Sequence, residues 1–124
     1  VYAGLPAKTY HRDEQVQKVQ AWLHEHYAQP TTLAELAERV HLSPRQLQRR
    51  FTSALAEPPL QYLQRVRIEA SRKMLERGAT NLSHLAEQVG YQDVSSFSRL
   101  FKRHTGLSPS HYRQRFARVG ALRD

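Results

Sequence analysis

The 124-residue chain carries 19 Lys and Arg against 11 Asp and Glu, a net charge of +8 and a pI near 10.3, with 40% apolar residues. That length allows one domain, or two small ones sharing an element that stabilises both. No apolar run approaches a membrane span or a signal-peptide core, and the absence of cysteine excludes disulfides and Cys-based zinc sites.

In chain order the pattern is helical almost throughout. Val16, Val19, Trp22, Leu23, His26 and Tyr27 recur at helical spacing, which predicts a first helix over about 13–28, closed by Pro30. Trp22 and Tyr27 are assigned to core packing. Thr32 then caps a short helix, with Glu35 completing a capping box; Leu33, Leu36, Ala37 and Val40 form its inner face. His41-Leu42-Ser43 is the turn. Ser43 caps the next helix and Pro44 opens it, with Leu47, Phe51 and Leu55 turned inward. A longer helix over about 59–76 has two apolar stripes, one of Leu63, Val66, Ala70 and Met74 and one of Ile68 and Leu75, as expected of a rod packed on two sides. Gly78 ends it.

The pattern then repeats. Leu33, Leu36, Ala37, Glu38 and Val40 match Leu82, Leu85, Ala86, Glu87 and Val89. After a turn one residue longer in spacing, Leu47, Arg49 and Phe51 match Phe97, Arg99 and Phe101, and Pro59 and Tyr62 match Pro109 and Tyr112. Gly90-Tyr91-Gln92 is the second turn, Asp93 the next cap, and Gly106 the next stop. Ser108-Pro109 starts a last helix holding Tyr112 and Phe116. The expected fold is all-α, with two tandem helix-turn-helix subdomains joined by a long linker helix, about seven helices in all. Its divisions are a linker at 1–12, a first subdomain at 13–57, the connecting helix at 58–77, a second subdomain at 78–116 and a frayed tail at 117–124, where Arg118 and Arg123 are further candidates for backbone contact.

The basic charge is placed as a DNA reader would need it. A helix-turn-helix lays its second helix in the major groove, here about 44–55 and 94–104. With Leu47 and Phe51 buried, Arg45, Gln48, Arg49 and Thr52 share an exposed face without acids. Arg binds guanine and Gln binds adenine through paired hydrogen bonds, and the Thr methyl can meet a thymine methyl. Ser95, Ser98, Arg99 and Lys102 hold the equivalent positions, with Arg99 as the strong base reader there. The first helix is therefore expected to specify sequence more sharply. Arg50, Lys102 and Arg103 are assigned to phosphate. So are the helix starts at Ser43, Ser108 and Thr32, where N–H groups attract anions.

Several of these residues form a recognisable string. Ala86-Glu87-Gln88-Val89-Gly90-Tyr91, then Phe97-Ser98-Arg99-Leu100-Phe101-Lys102, then Gly106-Leu107-Ser108-Pro109-Ser110-His111-Tyr112-Arg113, closely resembles the C-terminal signature of the AraC/XylS family of bacterial transcription regulators. Leu36-Ala37, Ser43-Pro44-Arg45 and Leu47-Gln48-Arg49-Arg50-Phe51 resemble its first unit. The resemblance covers about 16–116 and implies that Arg45, Gln48, Arg49, Ser95 and Arg99 read double-stranded DNA. It departs where Ala56 and His41 stand at positions that are commonly Gly, so His41 is expected in a left-handed conformation. Residues 11–30 with Ser43 to Leu47 are most similar to the GlxA-like branch, whose members carry an amidotransferase-like N-terminal domain. The resemblance further implies a cytoplasmic regulator, a sensing or dimerising N-terminal part missing from this chain, which opens on Val1, and contact with RNA polymerase by activating members. One chain with two units implies an asymmetric promoter site with two blocks about 10 bp apart.

Other classes fit less well. His24 and His26 are two apart on a helix and face different sides, unlike an i, i+4 metal pair. No Ser has a recognisable base and acid beside it. Neither catalysis, nor a metal, nor a cofactor is expected. A protein-interaction module could use Arg-rich faces on acidic partners, but two acid-free faces favour a polyanion, and no aromatic platform for RNA is evident.

Overall fold

The computed structural model describes residues 11–122, with side chains to Ala117. Seven helices follow in order: α1 (Glu14–Glu25), α2 (Leu33–Arg39), α3 (Pro44–Leu55), α4 (Pro59–Glu76), α5 (Leu82–Gln88), α6 (Val94–Thr105) and α7 (Pro109–Leu122). The described residues contain no strand. The expected linker lies outside them except for His11 and Arg12, as do the side chains of Arg118 and Arg123. The chain divides into two compact units, the first ending at Val66 and the second starting at Arg67, so the division falls inside α4.

In the first unit Asp13 caps α1 by accepting from the Val16 N–H. The helix stops at Glu25, earlier than its apolar spacing predicts. His26 leaves the helical conformation, its ring Nδ1 lies 3.2 Å from the Trp22 carbonyl, and its ring stacks on the Trp22 indole at 4.8 Å. The His26 N–H still donates to the same carbonyl at 2.9 Å, so this contact adds to the last helical bond of α1. The Thr32–Glu35 capping box forms as expected. A second capping box links Ser43 and Gln46 at the start of α3. Val16, Val19, Leu23, Leu36, Ala37, Leu47, Phe51, Leu55, Leu63 and Val66 bury together, each large side chain contributing about 1.5–3 kcal/mol. Trp22 and Tyr27 pack against this core part-buried, with the Arg39 guanidinium 4.1 Å over the indole. Tyr62 is fully buried, its ring edge-on to Phe51 at 5.4 Å. Its hydroxyl accepts from Gln20 Nε2 at 3.0 Å and lies 2.6 Å from His24 Nε2.

The second unit repeats this plan with different side chains. Ile68, Ser71 and Leu75 are the buried residues of its part of α4, with the Ser71 hydroxyl donating to the Ile68 carbonyl. The expected stripe through Ala70 and Met74 is corrected here: both are only half-buried, because the buried face of α4 changes along its length. Asn81 caps α5 and Asp93 caps α6. Tyr91, Phe97, Phe101, Tyr112 and Phe116 form a chain of ring contacts with centroids 4.5–5.8 Å apart. Helix α7 continues to Leu122, past the Ala117 at which fraying is expected from sequence.

The two turns share their hydrogen bonds. His41 N–H donates to Glu38 O and Leu42 N–H to Ala37 O, as Gly90 N–H does to Glu87 O and Tyr91 N–H to Ala86 O. His41 adopts φ 59 to do so, and Ala56 adopts φ 65 after α3 where Gly106 stands after α6. Both non-glycine residues carry a left-handed strain of about 1–2 kcal/mol.

Candidate nucleic-acid interface

Helix α3 presents one exposed face. Leu47, Phe51 and Leu55 are buried, and Arg45, Gln48, Arg49 and Thr52 are all exposed on the other side. No acid lies in the first turn of α3. On α6 Phe97 and Phe101 are buried, Ser95, Arg99, Lys102 and Arg103 are exposed, and Ser98 is half-covered. Each face therefore combines flexible guanidinium donors with short hydroxyls over a rigid apolar anchor.

The helix starts are more occupied than the sequence suggests. The Ser43 N–H donates to Gln46 Oε1, its Oγ accepts from the Gln46 N–H, and Pro44 has no N–H. At α2 the Glu35 carboxylate accepts the Thr32 N–H, and a carboxylate there repels phosphate. Ser108 caps α7 by accepting from the His111 N–H, and its hydroxyl proton can still be donated.

Arg50 is placed differently from the other candidates. Its Nε and Nη2 bind both oxygens of Asp13 at 2.9 and 2.8 Å, and Nη2 also reaches Gln15 at 3.0 Å. The Arg50 hydrogen bond, against desolvation, holds the Asp13 carboxyl below its usual range, and Asp13 in turn raises Arg50. Most of this guanidinium is thus committed to tying α3 to the start of α1. The two partners are 37 residues apart, and no local pattern reveals such a pair.

Asp93 is a further residue of consequence. It accepts from the N–H groups of Ser95 and Ser96 and from the Ser96 hydroxyl, and these bonds, the Ser96 hydroxyl first, lower its pKa. Ser96, not a sequence candidate, also accepts from Arg99 Nη2 at 3.3 Å. Its spacing of three from a capping Asp was the available signal.

Three histidines of the first unit are engaged in side-chain contacts. His24 meets Tyr62, His26 stacks on Trp22, and the His11 ring lies 3.0 Å from Gln20 Oε1. Burial pushes the His24 pKa down and raises Tyr62 to about 12. Among the described residues no group of three or more His, Asp or Glu could hold a metal, and no helix is long and apolar enough to cross a membrane.

Comparison with known proteins identifies the arrangement. The model of a family described as a helix-turn-helix domain matches residues 36–115. A putative AraC-like transcription regulator of Streptomyces antibioticus is 37% identical over 102 residues, 82% of this chain and 34% of that protein. The chain belongs to the AraC-type helix-turn-helix family. This is a family of DNA-binding transcription regulators rather than enzymes. The AraC-type domain is also similar to the transcriptional activator RhaS of Escherichia fergusonii, at 33% identity over 82% of this chain and 37% of that protein. It thus spans just over a third of the length of these relatives. Among solved structures, the DNA-binding domain of AdpA, a global transcriptional factor in complex with a target DNA, superimposes with a TM-score of 0.80. The identity is 28%, over 86% of this chain and 96% of that one. The C-terminal domain of AraT, a response regulator from Geobacillus stearothermophilus, gives 0.79 at 29% identity, over 82% and 85%.

Proposed function

We propose that this AraC-type domain binds an asymmetric promoter site by placing α3 and α6 in successive major-groove segments. Arg45, Gln48, Arg49 and Thr52 read bases in one block. Arg99, with Ser95 and the half-covered Ser98, reads the other. Lys102, Arg103 and Ser108 hold phosphates, with Ser43 contributing its hydroxyl. Arg50 adds at most the donors that Asp13 and Gln15 leave open. The observation that carries this reading is the α3 face, where four exposed base-compatible side chains lie opposite three buried apolar ones, with α6 repeating the plan.

The full-length protein is read as a cytoplasmic regulator whose other part senses a ligand or dimerises. DNA binding through this part would then activate transcription by contact with RNA polymerase.

Selection of binding sites from a random duplex pool, followed by a salt series on the winner and a scrambled duplex, tests the proposal. One motif with two blocks about one helical turn apart is expected. Arg49→Ala should cost about 1–3 kcal/mol and relax preference within one block, whereas Arg103→Ala should weaken specific and scrambled DNA alike. Binding that only fades with salt, equally on every sequence, would refute base reading by these helices.

A further inference from the structure

The same arginine position is built in two ways in the two units. In α3, Ser43 and Gln46 satisfy each other in a closed capping box, and among the described residues no hydrogen bond or ion pair holds Arg49. In α6 the corresponding residues are Asp93, Ser96 and Arg99. Here the Ser96 hydroxyl donates to Asp93 Oδ2 at 2.8 Å, and its oxygen accepts from Arg99 Nη2 at 3.3 Å. Asp93 is itself fixed by the Ser95 and Ser96 N–H groups.

We propose that Ser96, backed by Asp93, is a positioning residue that pre-orients the Arg99 guanidinium for one base pair. This rests on the reading of Arg99 as a base-contacting residue. An arginine with no tether swings among rotamers and can neutralise whichever phosphate lies near. A hydrogen bond to one Nη2 proton restricts that swing, yet leaves four of the five N–H donors, including a pair suited to the guanine edge. The Asp93 carboxylate behind the serine adds a second effect. It repels phosphate from the start of α6, so the guanidinium gains less by turning to the backbone. Ser96 thus trades general affinity for discrimination, and α6 compensates in order for what it lacks in the number of base-reading side chains.

The experiment compares the whole 124-residue chain with Ser96→Ala, Ser96→Thr, Arg99→Ala and the Ser96→Ala/Arg99→Ala double variant. Each is measured against the selected site, its three alternative bases at every position, and scrambled DNA. Melting curves confirm that the variants fold; the backbone donors to Asp93 survive in Ser96→Ala. Arg99→Ala should abolish preference at one base pair. Ser96→Ala should lower discrimination at that same pair by about three- to tenfold while scrambled DNA binds at least as tightly as before. Ser96→Thr should restore it, and Ser96→Ala should change nothing further in the Arg99→Ala background. Discrimination unaltered in Ser96→Ala, or lost equally at all base pairs, overturns the positioning role. If Arg99→Ala itself leaves every preference intact, the base-reading assignment of Arg99 has failed, and the positioning role falls with it.

Discussion

Tyr62 and Tyr112 are clamped in the same way in their separate units, though the polar residues that meet their hydroxyls differ in type. Each ring meets a buried phenylalanine edge-on at 5.4 Å, Phe51 for Tyr62 and Phe101 for Tyr112. Each hydroxyl accepts from one residue of a preceding helix and meets another one turn later. For Tyr62 these are Gln20 and His24; for Tyr112 they are Arg72 and Glu76. The repeat survives as a geometry of donor and acceptor after the side chains have diverged.

Removing one clamped hydroxyl therefore takes one hydrogen-bond partner from each of two residues on the facing helix. Tyr62→Phe should lower the stability of the chain by about 1–2 kcal/mol in urea unfolding. Tyr112→Phe should cost less, because Arg72 and Glu76 are four apart on α4 and can then pair with each other. Equal losses in the two variants would contradict this account of the clamp.

The first clamp also predicts acid sensitivity. Gln20 donates to the Tyr62 oxygen, so the phenol proton is directed at His24 Nε2, which must be neutral to accept it. Burial lowers the His24 pKa, so the unfolded chain takes up this proton more readily. Stability is complete above about pH 6.5 and falls as the pH drops below it. Asp13, also lowered, adds a second loss below its ordinary range near pH 3.8. Melting temperature should fall between pH 7 and 5, and His24→Gln should flatten that segment while leaving the loss near pH 4.

Ala56 and His41 hold left-handed conformations that glycine adopts without strain. Ala56→Gly should raise stability by about 1 kcal/mol, and His41→Gly should act in the same direction. Denaturant midpoints check both; a decrease in either would mean that the side chain supplies more than the backbone strain removes.

Gly90 and Gly106 should respond unequally to a methyl group. A Cβ at Gly90, φ 105, would lie 2.8 Å from Arg67 Nε, and that guanidinium sits 5.2 Å over the Tyr91 ring. At Gly106, φ 84, nothing lies within 4 Å. Gly90→Ala should cost about 2 kcal/mol and Gly106→Ala about 1 kcal/mol. Matched thermal melts of the two variants test the order.

Much of this organisation is legible before any coordinates. Apolar spacing marks the helices and their inner faces. Ser, Thr, Asp, Gly and Pro mark their ends, since capping and left-handed turns are local events between near neighbours. The faces of α3 and α6 follow at once, because what is exposed lies opposite what is buried. Even the φ of His41 is foreseeable, since the repeat sets it against Gly90.

Other features depend on residues far apart in the chain. Arg50 reads as a phosphate contact until folding brings Asp13 beside it. His26 reads as one more helical position, but it leaves the helix and stacks its ring on the Trp22 indole. Ala70 and Met74 continue a stripe that folding leaves half-covered. The sequence alone determined the helices, the duplication and the polar faces, because those arise from spacing within a few turns. Only the tertiary structure decided which polar side chains remain available to a ligand, because a charge is claimed by whichever partner folding brings nearest.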